Sequence, residues 1–155
     1  MDKKNVFYYD TAIGKLGIVE KDQKIVQILF PNSRTVVSAQ TKETPVIKQA
    51  FSELSEYFSG QRKIFSVPIQ PEGTPFQQKV WQTLQSIPYG EVRSYQEVAK
   101  TVGNFKASRA VGMANNHNPL PFFIPCHRVV GADGSLTGYA GGVDVKQKLL
   151  QLEKK

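Results

Sequence analysis

A chain of 155 residues with one cysteine has one thiol with which to attack an electrophile, and that thiol is Cys126. His127 and Arg128 follow it directly, and a base or a positive field beside a cysteine favours the nucleophilic thiolate. Side chains at i and i+1 often point apart, so His127 either acts through a water or belongs to another face. A lone cysteine behind an apolar run, here Phe122-Phe123-Ile124, is most often a buried small hydrophobe. Against that stand the prolines before it and the glycines of 131–142 after it, which make a rigid, irregular backbone along which a planar ligand can lie. One cysteine forms no internal disulfide, and with only two histidines it makes a poor metal set, so no metal is expected.

The elements that must position this segment can be read from periodicity and punctuation. Val6–Tyr9, Leu16–Val19 and Ile25–Phe30 are β-branched or aromatic runs separated by turn residues, which predicts three short strands. Thr44 caps a helix that starts at Pro45, carries an apolar stripe of Val46, Ile47, Ala50, Phe51, Leu54, Tyr57 and Phe58, and stops at Gly60. Residues 65–73, interrupted by Pro68 and Pro71, are expected to link two halves in an extended form. A second helix opens at Thr74-Pro75 with Phe76, Val80, Trp81 and Leu84 on one face. Ser94 and Glu97 form a capping box on a short helix that ends at Gly103. A tight connection then leads to a helix over 107–114, which makes a helix-turn-helix. A last helix over 143–153 places Val145, Leu149, Leu150 and Leu152 for burial.

Composition bounds the partners. The net charge is +7, with 10 basic against 8 acidic residues up to Thr74 and 10 against 5 from Pro75 onward. The second half is therefore the better candidate for a polyanion, although a basic solvated surface explains the charge equally well. No apolar run is long enough for a membrane span or a signal peptide, so a cytoplasmic protein without a membrane partner is expected.

Pro125-Cys126-His127-Arg128-Val129 resembles the active-site signature of the O6-alkylguanine-DNA alkyltransferase family. Thr74-Pro75-Phe76-Gln77, Ile87-Pro88-Tyr89-Gly90, Ser94-Tyr95, Ser108-Arg109-Ala110-Val111-Gly112, Asn118-Pro119 and Gly138-Tyr139-Ala140-Gly141-Gly142 are similar to further family blocks, in the same order. The likeness is strong over 73–153 and loose over the first 70 residues. It implies an α+β chain: a ribonuclease-H-like domain over 1–70, with a small antiparallel sheet and a helix, then a mostly helical DNA-binding and alkyltransferase domain over 71–155.

The resemblance also implies roles. Cys126 would take an alkyl group from O6 of guanine, or O4 of thymine, in double-stranded DNA, once per molecule and with no cofactor or obligate protein partner. His127 would accept the thiol proton through a water, Glu153 would orient His127, and Tyr95 would donate to the guanine ring. Arg109 would fill the space left by the flipped base, with Ser94, Tyr95, Ala107, Ala110, Gly112 and Arg128 on the DNA. Asn118, Val129, Tyr139 and Ala140 would hold the base, partly through main-chain atoms. The thiol itself is expected to be presented unprotonated and unobstructed.

The chain departs from the family pattern at Phe105, where proline is common, at the missing glycine after Glu153, and in lacking an N-terminal zinc-ligand cluster. Two rival readings remain open at this point. One is a non-catalytic sensor of alkylated bases, although such relatives lack the cysteine. The other is a cysteine hydrolase using Cys126 with His127 or His117, which leaves Arg109 and Tyr95 unexplained.

Overall fold

The structure, a computed structural model, describes residues 3–33, 37–136, 139 and 141–154, and of Phe105 the backbone alone. The chain divides into two compact units, Met1–Pro71 and Glu72–Lys155.

In the first unit, β1 (Lys4–Thr11), β2 (Gly14–Lys21) and β3 (Lys24–Leu29) form an antiparallel meander. A two-residue strand β4 (Gln40–Thr41) joins the outer edge of β1 in parallel, giving the order β3-β2-β1-β4. The sheet is thus mixed rather than purely antiparallel. The central strand β2 is buried almost continuously from Leu16 to Glu20. Continuous burial requires cover on both faces. Val6, Val19, Val26 and Leu29 make one apolar cluster, packed against Val37 and Ala39. Helix α1 (Pro45–Phe58) buries Ile47, Ala50, Leu54 and Tyr57, spaced as one helical face, and Thr44 caps it by accepting from Ile47 N. Val46, Phe51 and Phe58, expected on that stripe, are only half-buried.

Residues 65–73 are not a free linker. Ile25 N donates to Pro68 O (2.9 Å) and Gln70 N to Ile25 O (2.8 Å), so Ile69 bridges the edge of β3. Glu53 anchors the same segment to α1. Its buried carboxylate accepts from Ser66 N (2.9 Å), Ser66 Oγ (2.7 Å) and Val67 N (3.1 Å).

The second unit is built on helix α2 (Pro75–Leu84), which starts in a reciprocal Thr74/Gln77 capping box. Trp81 is its anchor, with Nε1 donating to Ala114 O at 2.9 Å. A Cβ on Gly73 would lie 2.5 Å from the Trp81 ring, so only glycine fits there. Phe76, expected on the same buried face, is exposed at the first turn. Strand β5 (Arg93–Ser94) leads into α3 (Tyr95–Thr101), capped by the Ser94/Glu97 box. Gly103, at φ +97°, reverses the chain into a 3-10 turn, Phe105–Ala107, which Asn104 caps. Helix α4 (Ser108–Asn116) therefore starts one residue later and ends two residues later than its spacing suggests.

A loop then carries the chain to a second 3-10 turn, Cys126–Arg128, followed by β6 (Val129–Val130). β6 pairs in parallel with β5, setting Arg93 beside Val129 and Ser94 beside Val130. Helix α5 (Val143–Glu153) closes the unit. Its buried residues are Lys146, Leu149 and Glu153, whereas Val145, Leu150 and Leu152 are half-buried. Two charged side chains thus occupy positions expected to be apolar. Among the described residues no helix is long and apolar enough to cross a membrane.

Candidate active site

The turn that carries Cys126 is held from both sides by asparagines. Asn118 accepts from Leu120 N (3.0 Å) and donates through Nδ2 to Ile124 O (2.8 Å), which folds the loop 118–124 onto itself. Asn115, buried in the last turn of α4, donates to Cys126 O (3.3 Å). Within the loop, Phe122 is buried with φ +75°, a left-handed conformation that costs a bulky residue of the order of 1 kcal/mol or more. Strain of this size persists only where surrounding bonds enforce it, and here it lies four residues before Cys126.

Cys126 is 4% exposed. Burial pushes its thiol up to about 11, while a hydrogen bond with Asn118 and the Lys146 ammonium act in the opposite direction. The resting sulfur is therefore protonated and largely covered, contrary to the expected open thiolate. It is not sealed in hydrocarbon, because an amide and an ammonium group face it.

His127 and Glu153 meet, as expected. The imidazole is fully buried, and its Nε2 donates to Glu153 Oε2 at 2.7 Å. A carboxylate can only accept, so the ring proton sits on Nε2 and the lone pair on Nδ1. Burial holds His127 below its usual range, with Arg128 and Lys146 helping and Glu153 opposing. The imidazole is thus neutral, the form that can take a proton. Glu153 looks like a solvent-facing helix end by spacing, but it is buried and accepts four bonds. Besides His127 these come from Arg128 Nε (2.8 Å), Arg128 NH2 (3.0 Å) and Gly90 N (3.3 Å).

Arg128 belongs to this interior and not to the DNA face where it was expected. Its guanidinium grips Glu153 with two nitrogens and donates from the third to Ile87 O at 2.7 Å. It is 7% exposed, and burying a guanidinium demands such a full set of partners.

Lys146 lies on the other side of Cys126. It is wholly buried, and its Nζ donates to Val129 O at 2.6 Å and sits 5.9 Å above the Tyr95 ring. Burial pulls its ammonium below the usual lysine range, and charge on Cys126 would raise it again. Tyr95 is half-buried between this ammonium and Gly112, where an added Cβ would already touch the ring at 3.9 Å. The Cys126 carbonyl already accepts from Asn115 Nδ2 (3.3 Å) and from Val129 N, and the Val129 carbonyl accepts from Lys146 Nζ (2.6 Å).

The outward face of α4 carries Arg109 and Ala110, both exposed, with Ala107 and Gly112 half-buried beside them. Ala114 of the same helix is buried, and its carbonyl accepts from Trp81 Nε1. Ser94 is half-buried and committed to capping α3. Tyr139 is buried. Ala140 lies outside the described residues, as does Gly138.

With this geometry in hand, comparison with known proteins is direct. Residues 75–155 match "6-O-methylguanine DNA methyltransferase, DNA binding domain", and residues 6–71 match the ribonuclease-like domain of the same enzymes. The chain belongs to the O6-methylguanine DNA methyltransferase family. A constitutive methylated-DNA–protein-cysteine methyltransferase of Bacillus subtilis is 48% identical over 157 residues, 95% of each chain. A methylated-DNA–protein-cysteine methyltransferase of Methanosarcina acetivorans is 44% identical over 94% of this chain and 95% of its own. The crystal structure of Mycobacterium tuberculosis OGT in complex with DNA superposes with a TM-score of 0.91 at 40% identity, covering 97% of this chain and 92% of that one.

In this member of the methyltransferase family, Lys146 and Asn115 are the site residues that sequence reasoning missed. Lys146 had a readable signal. It stands seven residues before Glu153 and three before Leu149, on one helical face, so turning Glu153 inward turns Lys146 inward with it. Asn115 had none, because nothing in its spacing ties it to Cys126.

Proposed function

We propose that this protein repairs DNA by direct, single-turnover transfer of an alkyl group, a methyl in the simplest case, from O6 of guanine to Cys126, with O4 of alkylated thymine as a second donor for the same chemistry. The observation that carries the reading is the junction of the only thiol with a neutral, buried His127 oriented by Glu153. In the reaction the thiol proton passes through a bridging water to His127. The sulfur then forms a bond to the alkyl carbon as the carbon–O6 bond breaks, and the electron pair goes to the guanine ring. Tyr95 donates to that ring, which regains a proton in total, so a thiol and an alkylguanine become a thioether and guanine.

A resting thiol near 11 is compatible with this, because a nucleophile used once gains from staying protonated until a base takes its proton at the moment of attack. Lys146 supports the departing charge from the side of Tyr95 and Val129. Water does not hydrolyse a thioether, and among the described residues no second nucleophile faces Cys126 to remove the group, so turnover ends there.

The target base is unreachable inside a duplex and must be flipped out. Arg109, exposed on α4, fills the gap, with Ala107, Ala110 and Gly112 letting the helix approach the backbone. Asn118, Val129, Tyr139 and Ala140 hold the flipped base. On this reading the partner is alkylated double-stranded DNA in the cytoplasm, the catalytic domain is the unit after residue 71, and the ribonuclease-like unit of 1–70 accompanies it.

The test is mass spectrometry after incubation with duplex DNA containing O6-methylguanine. A gain of about 14 Da on the Cys126 peptide, one CH2, is expected, and Cys126→Ala should abolish it. Binding without a mass gain would mean a sensor, and repeated hydrolysis of an ester would mean a hydrolase. Arg109→Ala should slow transfer from duplex DNA far more than transfer from free O6-benzylguanine.

A further inference from the structure

We propose that Met113 is a second side chain that α4 inserts into damaged DNA, packing its thioether against the deoxyribose beside the gap that Arg109 fills. The proposal rests on the reading of α4 as the helix that enters the duplex.

Met113 is 60% exposed, whereas Val111 and Ala114 of the same helix are buried. What singles Met113 out among the exposed apolar side chains is its place on the outward face of α4, beside Arg109. Arg109 and Met113 stand four residues apart, which puts them on one face, about 6 Å from each other along the axis. Ala110 lies between them and is exposed but short. The face therefore presents a cation and a thioether as two prongs with a gap between.

The second prong is firmly mounted. Met113 O accepts from the backbone N of His117 (3.0 Å) and also bonds the His117 ring through Nδ1 (2.7 Å). These two hydrogen bonds to the Met113 carbonyl close the last turn of α4, so little backbone ordering remains to oppose insertion. The chemistry of the groove suits the side chain. The sugars that wall a minor groove present C–H surfaces, and unbranched methionine adapts to irregular gaps and is among the residues that wedge base steps. Arg109 supplies charge at the vacated base position, and Met113 supplies apolar contact at the neighbouring sugar.

The contact is apolar, so its loss should weaken DNA binding without changing the salt dependence, whereas loss of a phosphate contact lowers the slope by about 1. The experiment measures, for wild type, Met113→Ala, Met113→Leu, Met113→Glu and Arg109→Ala, the rate of transfer from an O6-methylguanine duplex, the rate with free O6-benzylguanine, and duplex affinity at several salt concentrations. The ratio of duplex to free-base rate should fall about tenfold in Met113→Ala, as expected from burying part of a methionine side chain. It should fall further in Met113→Glu and stay within about twofold of wild type in Met113→Leu, which keeps the volume. A wild-type ratio in Met113→Ala, or a changed salt slope, overturns the proposal. If Arg109→Ala loses the ratio while Met113→Ala keeps it, the role of α4 stands and the Met113 contact falls. If neither loses it, the reading of α4 falls as well.

Discussion

At the scale of single residues, three charged or titratable side chains, His127, Arg128 and Glu153, share one buried cluster beside the turn of the nucleophile. Glu153 is the common partner: it orients the imidazole and balances the guanidinium. Removing one member of a buried ion pair leaves the other uncompensated, a loss of about 3–5 kcal/mol. Glu153→Ala should therefore lower the urea midpoint sharply when unfolding is followed by the fluorescence of Trp81, the single tryptophan. Glu91→Ala, which breaks the exposed Arg93 pair at 3.1 Å, should leave the midpoint in place. Equal shifts in both variants would mean that the pocket is no more than a surface cluster. Local sequence could not reveal this. Arg128 beside Cys126 looks like a DNA-facing cation, and only the approach of Glu153 from 25 residues away shows that it faces inward.

At the scale of elements, the helix starts were legible because each carries its own chemistry. Thr44-Pro45, Thr74-Pro75 and Ser94 with Glu97 satisfy orphan N–H groups with nearby side chains, and all three caps form. The two-residue strands β4, β5 and β6 were not legible, since each exists only through its partner strand. The turn between β2 and β3 shows a local rule overridden. Asp22 and Gln23 have φ of +53° and +66°, values that favour glycine at the second position, yet glutamine stands there. Buried Glu20 offsets the strain by accepting from Gln23 N at 2.7 Å. Gln23→Gly keeps that N–H and relieves the side chain, so it should stabilise the protein by about 0.5–1 kcal/mol. A lower melting temperature in that variant would show that the turn is held by contacts of the glutamine side chain instead.

At the scale of the whole molecule, the two units carry different acid sensitivities. His127 in the second unit is held below its usual value of 6.5, chiefly by burial. The unfolded chain then binds the proton more readily, so the stability that depends on a neutral His127 is full above pH 6.5 and declines as pH falls below it. Glu53 in the first unit is held below its usual 4.5, where bonds from Gln49, Ser66 and Val67 outweigh the opposing effect of burial. Its contribution is full above pH 4.5 and is lost as pH falls through the lowered value. Acid titration should therefore change Trp81 fluorescence at a higher pH than it accelerates hydrogen exchange at the Ser66 and Val67 amides. A single transition at both probes near pH 4 would rule out His127 as the first group to yield.

The sequence by itself determined the chemistry and the punctuation: one thiol with its histidine, the capped helices, the helix-turn-helix and the family blocks. These depend on residue identity and on neighbours within a turn, which is the range over which sequence acts directly. Tertiary structure alone decided which side each charge faces. Burial of Lys146, Arg128 and Glu153 is tolerable only because α5, β6 and the turn at Cys126 arrive together and complete one another's hydrogen bonds, and no single segment carries that information.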